Sequence, residues 1–211
     1  YDTSTGEPKY RYYPYYRNGK IVAYKRKNIH NKKDQLIIPG GSGKFDLFGK
    51  NTCSGTTFLI ITEGEEDALA AKQIIRDNKK NWNVVSLPSG ANASSLKSNY
   101  QWLYEFTQIT IAFDSDAPGK KAASEAAKLF DPGQIKVADF KEYKDTNDYL
   151  LNKKNKEWLS CIYSATVKKP DGIVTISDIW DEAIKRPEWG LDWPWPSLTQ
   201  STYGRREKEI Y

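Results

Sequence analysis

Apolar positions in this chain change their rhythm near residue 57. Before it, the run YYPYYRNGKIVAYK (12–25) sets Asn18-Gly19 between two stretches rich in aromatic and β-branched residues. Both turn residues tolerate positive φ, so the pattern predicts a hairpin closed by a type I′ turn. After residue 57, short apolar runs alternate with helical patterns. The runs are TFLIIT (57–62), NVVSL (83–87), ITIAFD (109–114) and IKVADF (135–140); between them lie EEDALAAKQIIRDN and PGKKAASEAAKLF (118–130), and DTNDYLL opens another helix. Strands alternating with crossover helices predict an α/β fold, a mostly parallel four-stranded sheet with helices on both faces. Pro118 suits the first position of its helix, where its missing N–H costs nothing.

Beyond this core, KKPDG (168–172) reads as a linker. TISDIWDEAIK (175–185) reads as an isolated helix, with Ile176, Ile179, Trp180, Ala183 and Ile184 on one stripe. The predicted organisation is therefore a basic β-rich N-terminal subdomain over 1–55 and an α/β domain over 56–167. A linker with its amphipathic helix follows over 168–189, then a proline-rich tail over 190–211 in which EIY begins to look like a strand.

Composition narrows the chemistry. Apolar residues make up 38%, charged residues 28% and aromatic residues 13% of the 211 positions, which suits a packed domain rather than a disordered chain. No apolar run approaches the roughly 20 residues of a membrane span, and no signal segment opens the chain, so a cytoplasmic protein is expected. Two cysteines, Cys53 and Cys161, and one histidine, His30, cannot make a disulfide framework or a zinc site, so any catalytic metal must take oxygen ligands. The chain opens on Tyr1 and contains no Met, which predicts a portion of a larger multidomain protein. Charge is uneven: residues 1–55 carry 11 basic and 4 acidic side chains, and residues 56–151 carry 11 basic and 14 acidic. A basic module beside an acidic one suits a polyanion held by the first while carboxylates in the second act on it; two ordinary solvated surfaces are the alternative.

In an open parallel sheet, ligands bind beyond the carboxyl ends of the strands. Glu63 follows TFLIIT, Asp114 and Asp116 follow ITIAF, and Asp145 follows the strand at 135–140. Crowded carboxylates repel unless a cation compensates them, and all-oxygen ligands favour Mg²⁺ or Mn²⁺. Any one of these acids could instead be a cap or turn residue; three strand ends in one sheet favour a shared site. Glu65, Glu66 and Asp67 read as first-turn acids that steady a helix N-terminus, and Asp148 has the same reading. The GSGK at 41–44 lacks the spacing of a P-loop, since Ile38 and Phe45 stand where Gly and Ser or Thr are required.

TEGEEDALAA and IAFDSDAPGKKAA resemble the Toprim signature, a strand-end Glu-Gly followed later by D-x-D, found in bacterial-type primases, topoisomerases and certain nucleases. The order NGKIVAYKRK, DLFGK, VVSLPSGANA, KDTND and PDGI is similar to bacteriophage bifunctional primase-helicases and the related mitochondrial Twinkle helicases. This resemblance implies a Toprim catalytic core joined to the basic N-terminal subdomain. It implies synthesis of short RNA primers on single-stranded DNA from ribonucleoside triphosphates, with two Mg²⁺ or Mn²⁺ ions held by Glu63, Asp114, Asp116 and Asp145. Lys25, Lys27, Lys120 and Lys144 would contact nucleotide or DNA, with Lys32, Lys33, Lys44 and Lys50 as weaker candidates. The stripe at 175–185 would pack on a helicase domain of the same or a neighbouring subunit, and the tail would be the start of that domain. Rival readings are a non-catalytic Toprim DNA-binding module, a Toprim nuclease or topoisomerase, and a doubly wound phospho-acceptor domain.

Overall fold

The computed structural model describes residues 6–31, 33–39, 44–88, 93–131, 133–167, 179–180, 184–185 and 188–205. Asn18 and Gly19 both take positive φ, 50° and 76°, and join β1 (Tyr10–Arg17) to β2 (Lys20–Asn28) as an antiparallel hairpin. A third strand, β3 (Gln35–Ile38), adds to β2 and completes a small sheet. Alternation along β1 and β2 gives this sheet two characters. Tyr13, Tyr15, Ala23 and Lys25 are buried on one face, while Tyr12, Tyr24 and Leu36 on the other are exposed.

The second sheet has five strands in the order β5-β4-β6-β7-β8. The strands β4 (Phe58–Thr62), β5 (Asn83–Ser86), β6 (Gln108–Ala112) and β7 (Ile135–Val137) are parallel. The two-residue β8 (Thr166–Val167) pairs antiparallel on the edge, one strand more than the pattern predicts. Its brevity leaves no periodic signal to read.

Helices cover both faces because the central strands are apolar on both. Leu59, Ile61, Ile109 and Ile111 pack with Leu96, Leu103, Phe106 and Ala123 on one side. Those partners come from α2 (Ala93–Ser98), α3 (Tyr100–Leu103), the turn after it and α4 (Ala117–Ala127). Ile60 and Val84 pack with Ala68, Ile74, Trp158 and Ile162 on the other. Here the partners come from α1 (Glu65–Asp77) and α6 (Asn155–Tyr163), with α5 (Thr146–Leu151) beside them. Each fully buried branched side chain contributes roughly 1.5–3 kcal/mol. Pro118 is the second residue of α4, not the first, because Asp116 caps the helix one position earlier than the pattern suggests.

The connection between the sheets is stitched to the core. Phe48 and Ser86 exchange backbone hydrogen bonds at 3.0 Å in both directions, Leu47 enters the core, and Phe48 meets Tyr13 edge to face. Residues Tyr1–Pro170 form one compact unit and Asp171–Tyr211 another. In the second unit, helix Pro196–Thr202 folds back so that Leu191 bridges Arg205 and the Trp193 indole donates to the Thr202 hydroxyl. The predicted helix at 175–185 lies mostly outside the described residues, as do Lys32 and the strand-like EIY of the tail. Among the described residues no helix is long and apolar enough to cross a membrane.

Candidate functional site, an acid cleft facing a basic strand

Glu63 and Asp114 come together because β4 and β6 are neighbours in register, Thr62 beside Ala112, and each acid lies just past its strand. Both line a cleft of about 450 Å³. Lys25 and Lys27 of β2 line the same cleft, so a strand of the small sheet supplies part of its wall. Lys120 lines a second cleft of about 380 Å³, and Asp114 lines both.

Asp116 and Asp145 each do a structural task as well. One oxygen of Asp116 accepts from the Gly119 N–H at 2.9 Å and caps α4, and one oxygen of Asp145 accepts from the Asp148 N–H at 2.8 Å and caps α5. Gly119 is required there, since a Cβ would stand 2.3 Å from the Asp114 carbonyl oxygen; the glycine lets α4 start directly behind the acid. The loop before α5 is tied to the same place by the Ser115 N–H, which donates to the Lys144 carbonyl at 2.9 Å. The Lys144 ammonium reaches Asp114 and Asp116 at 3.1 Å each.

Charge in this half is under-compensated. Burial, then repulsion from Asp114 and Asp116, pushes the Glu63 carboxyl above its ordinary value, and its Oε2 is buried with no hydrogen-bond partner among the described residues. Burial also raises Asp114, although its contact with Lys144 opposes the rise. Asp116 is lowered, first by the Gly119 N–H and then by Lys144. Asp67, on the first turn of α1, is pushed up to about 7 by burial and by Asp145, and accepts from the Asn147 N–H at 3.1 Å. Sequence reading assigned Asp67 only a helix-end role; the structure puts it on the cleft wall with Glu63 and Asp114.

The basic half is organised by Glu65, which is completely buried. Lys25 and Lys27 each bring their ammonium to 2.8 Å from its two oxygens, and the Tyr15 hydroxyl lies against both its carboxylate and the Pro88 carbonyl. Burial alone would raise Glu65, but the two lysines outweigh it and hold the carboxyl below its usual value. Burial and the Glu65 charge push the Tyr15 hydroxyl up in turn. Beside it, Arg11 and the Tyr13 hydroxyl both bond to Glu66. A first-turn Glu looks the same in sequence whether it is solvated or sealed by a distant strand, so nothing local foretold this clamp. Among the weaker lysines, Lys50 bonds Asn99 and Asp46 and stacks on Trp102, away from the cleft. Among the described residues no three carboxylate, thiol or imidazole groups already close on one point.

The family described as Toprim-like matches residues 60–150. The DNA helicase/primase of Enterobacteria phage T3 is 36% identical over 168 residues, covering 78% of this chain and 28% of that protein. A chain in the structure of the bacteriophage T7 lagging-strand DNA polymerase interacting with primase domains is 32% identical, with a TM-score of 0.66, over 75% of this chain and 79% of that one. The primase fragment of the bacteriophage T7 primase-helicase is 31% identical, with a TM-score of 0.63, over 72% of this chain and 62% of that one. The chain thus spans little more than a quarter of the curated phage relative it matches.

Proposed function

Because the chain belongs to the Toprim primase family of the phage primase-helicases, we propose that it synthesises short RNA primers on single-stranded DNA from ribonucleoside triphosphates. The observation that carries this reading is one cleft lined by Glu63 and Asp114 together with Lys25 and Lys27. Nucleotidyl transfer needs that pairing: anionic ligands for cations where the phosphorus reacts, and fixed cations where the polyphosphate lies.

The acids fit Mg²⁺ or Mn²⁺. The orphaned Glu63 oxygen and the raised carboxyls of Glu63, Asp67 and Asp114 mark a pocket short of positive charge, with oxygen donors only. Glu63, Asp114 and Asp116 would hold the metal, joined by Asp145 and Asp67, and two ions suit that number of acids. Bound there, such ions lower the pKa of a hydroxyl and offset charge on a transferring phosphoryl group.

In the reaction, the primer 3′-oxygen forms a bond to the α-phosphorus, the bond to the pyrophosphate leaving group breaks, and the hydroxyl proton passes to water. Lys25 and Lys27, held by Glu65, place fixed positive charge beside the triphosphate. The caps on Asp116 and Asp145 use one oxygen each, so the cap leaves the second carboxylate oxygen for another partner, which for Asp116 is the Lys144 ammonium. Lys120, in the cleft that Asp114 also lines, would contact the template or primer backbone. In the intact protein the partners would be the DNA template, the RNA primer and a helicase domain, in the cytoplasm of an infected bacterial cell.

The test is incubation of the chain with single-stranded DNA, labelled ribonucleotides and Mg²⁺ or Mn²⁺, scored for oligoribonucleotides and for DNA cleavage. Oligoribonucleotides are expected, and Asp114→Ala and Asp116→Ala should abolish them. Synthesis that survives either substitution, or cleavage in place of synthesis, overturns the assignment.

A further inference from the structure

The cation already present in the acid cluster belongs to the protein. Lys144 Nζ stands 3.1 Å from Asp114 Oδ2 and 3.1 Å from Asp116 Oδ2. The Asp116 carboxylate is aimed by the Gly119 N–H on its other oxygen, and the backbone next to Asp114 is tied to the lysine's own residue by the Ser115 N–H, which donates to the Lys144 carbonyl. The ammonium therefore sits where the two carboxylates converge. It does not satisfy the cluster, because one positive charge serves two acids while the buried Glu63 Oε2 goes without a partner among the described residues.

The lysine is also free to leave. Its side chain is 53% exposed, so its departure opens no cavity in the core, and its backbone anchor to Ser115 keeps the loop in place whichever way the side chain turns. We propose that Lys144 is a resident counter-ion, which aligns Asp114 and Asp116 in the metal-free protein and is exchanged for a divalent cation on loading. The exchange sets metal affinity below what the acids alone would give. It also releases an ammonium beside the cleft at the moment a metal-bound polyphosphate would enter, making Lys144 a positioning residue first and a phosphate contact afterwards. This rests on the reading of Asp114 and Asp116 as metal ligands.

The experiment is calorimetric titration of the full chain with Mn²⁺, without nucleotide or DNA, for the unsubstituted protein, Lys144→Met, Lys144→Arg and Asp114→Asn. Lys144→Met is expected to bind Mn²⁺ about fivefold more tightly, the size of a partly exposed ion pair no longer broken on binding. Lys144→Arg, which keeps a cation able to bridge both carboxylates, is expected to bind no more tightly than the unsubstituted chain. Equal or weaker binding by Lys144→Met, or tighter binding by Lys144→Arg, overturns the exchange. Unchanged binding by Asp114→Asn, or no binding by the unsubstituted chain, overturns instead the metal-site reading beneath it.

Discussion

Glu63 and Glu65 are separated by one glycine and line the same cleft, yet their surroundings push them in opposite directions. Glu63 is only half-buried and is raised, because burial acts together with Asp114 and Asp116. Glu65 is fully buried and is lowered, because Lys25 and Lys27 overcome a larger desolvation. Burial sets the stakes for a carboxylate, and its partners decide the sign. The two lysines on Glu65 more than balance its charge, while Glu63 and Asp114 are raised with a single lysine, Lys144, opposing them.

Removing the charge from each of these glutamates sharpens the contrast most. Glu65→Gln leaves two nearly buried ammonium groups facing a neutral amide and should destabilise the metal-free chain by about 3 kcal/mol, the range for breaking a buried pair from one side. Glu63→Gln removes a charge whose burial and repulsion outweigh the help of Lys144, and should leave the denaturant midpoint unchanged or higher. Guanidinium unfolding of both variants at pH 8 decides it. Equal losses would mean that packing, not charge, governs both positions.

A smaller effect separates the two settings by pH. Asp67 titrates near 7 in the folded chain against an ordinary 3.8, so between those values the folded state holds more protons than the unfolded one. Stability attributable to this group therefore falls as pH rises through that window. Asp67→Asn lacks the penalty: without metal it should match the unsubstituted chain near pH 4 and exceed it by on the order of 1–2 kcal/mol at pH 8, discounted for partial exposure. Thermal melts across that pH range are the measurement, and a difference that does not vary with pH would remove Asp67 from the raised acids.

The parts of the fold legible in the sequence were those encoded locally. The Asn18-Gly19 turn, the four apolar strands and the positions of Glu63 and Asp114 beyond two of them follow from periodicity and from the rule that adjacent parallel strands end side by side. What escaped depended on partners far along the chain. Lys25 is 40 residues from Glu65, and Asn147 is 80 from Asp67, so neither contact leaves a mark on the local pattern. Lys120 lines a neighbouring cleft that Asp114 also lines, and strand order alone does not specify on which side of that acid its helix puts it. The capping tasks of Asp116 and Asp145 each take one oxygen, so a cap leaves the second oxygen of the carboxylate for another partner.

The smallest effect lies at the edge of the lysine clamp. Arg11 meets Glu66 at 3.0 Å, but their side chains are 56% and 36% exposed, so water and salt screen what Lys25 and Glu65 feel in full. A double-mutant cycle on Arg11→Ala and Glu66→Ala should give a coupling of about 0.5 kcal/mol that fades in high salt, although Tyr13 also bonds Glu66 and will absorb part of the single-substitution cost. The same cycle on Lys25 and Glu65 should give a coupling several times larger that salt barely alters. Both pairs join the small sheet to α1, one position apart on the helix. If the two couplings were equal, exposure would have no bearing on how the sheet is held, and the hold would have to come from the aromatic contacts of Tyr13 and Tyr15 with Phe48 and Phe45 instead.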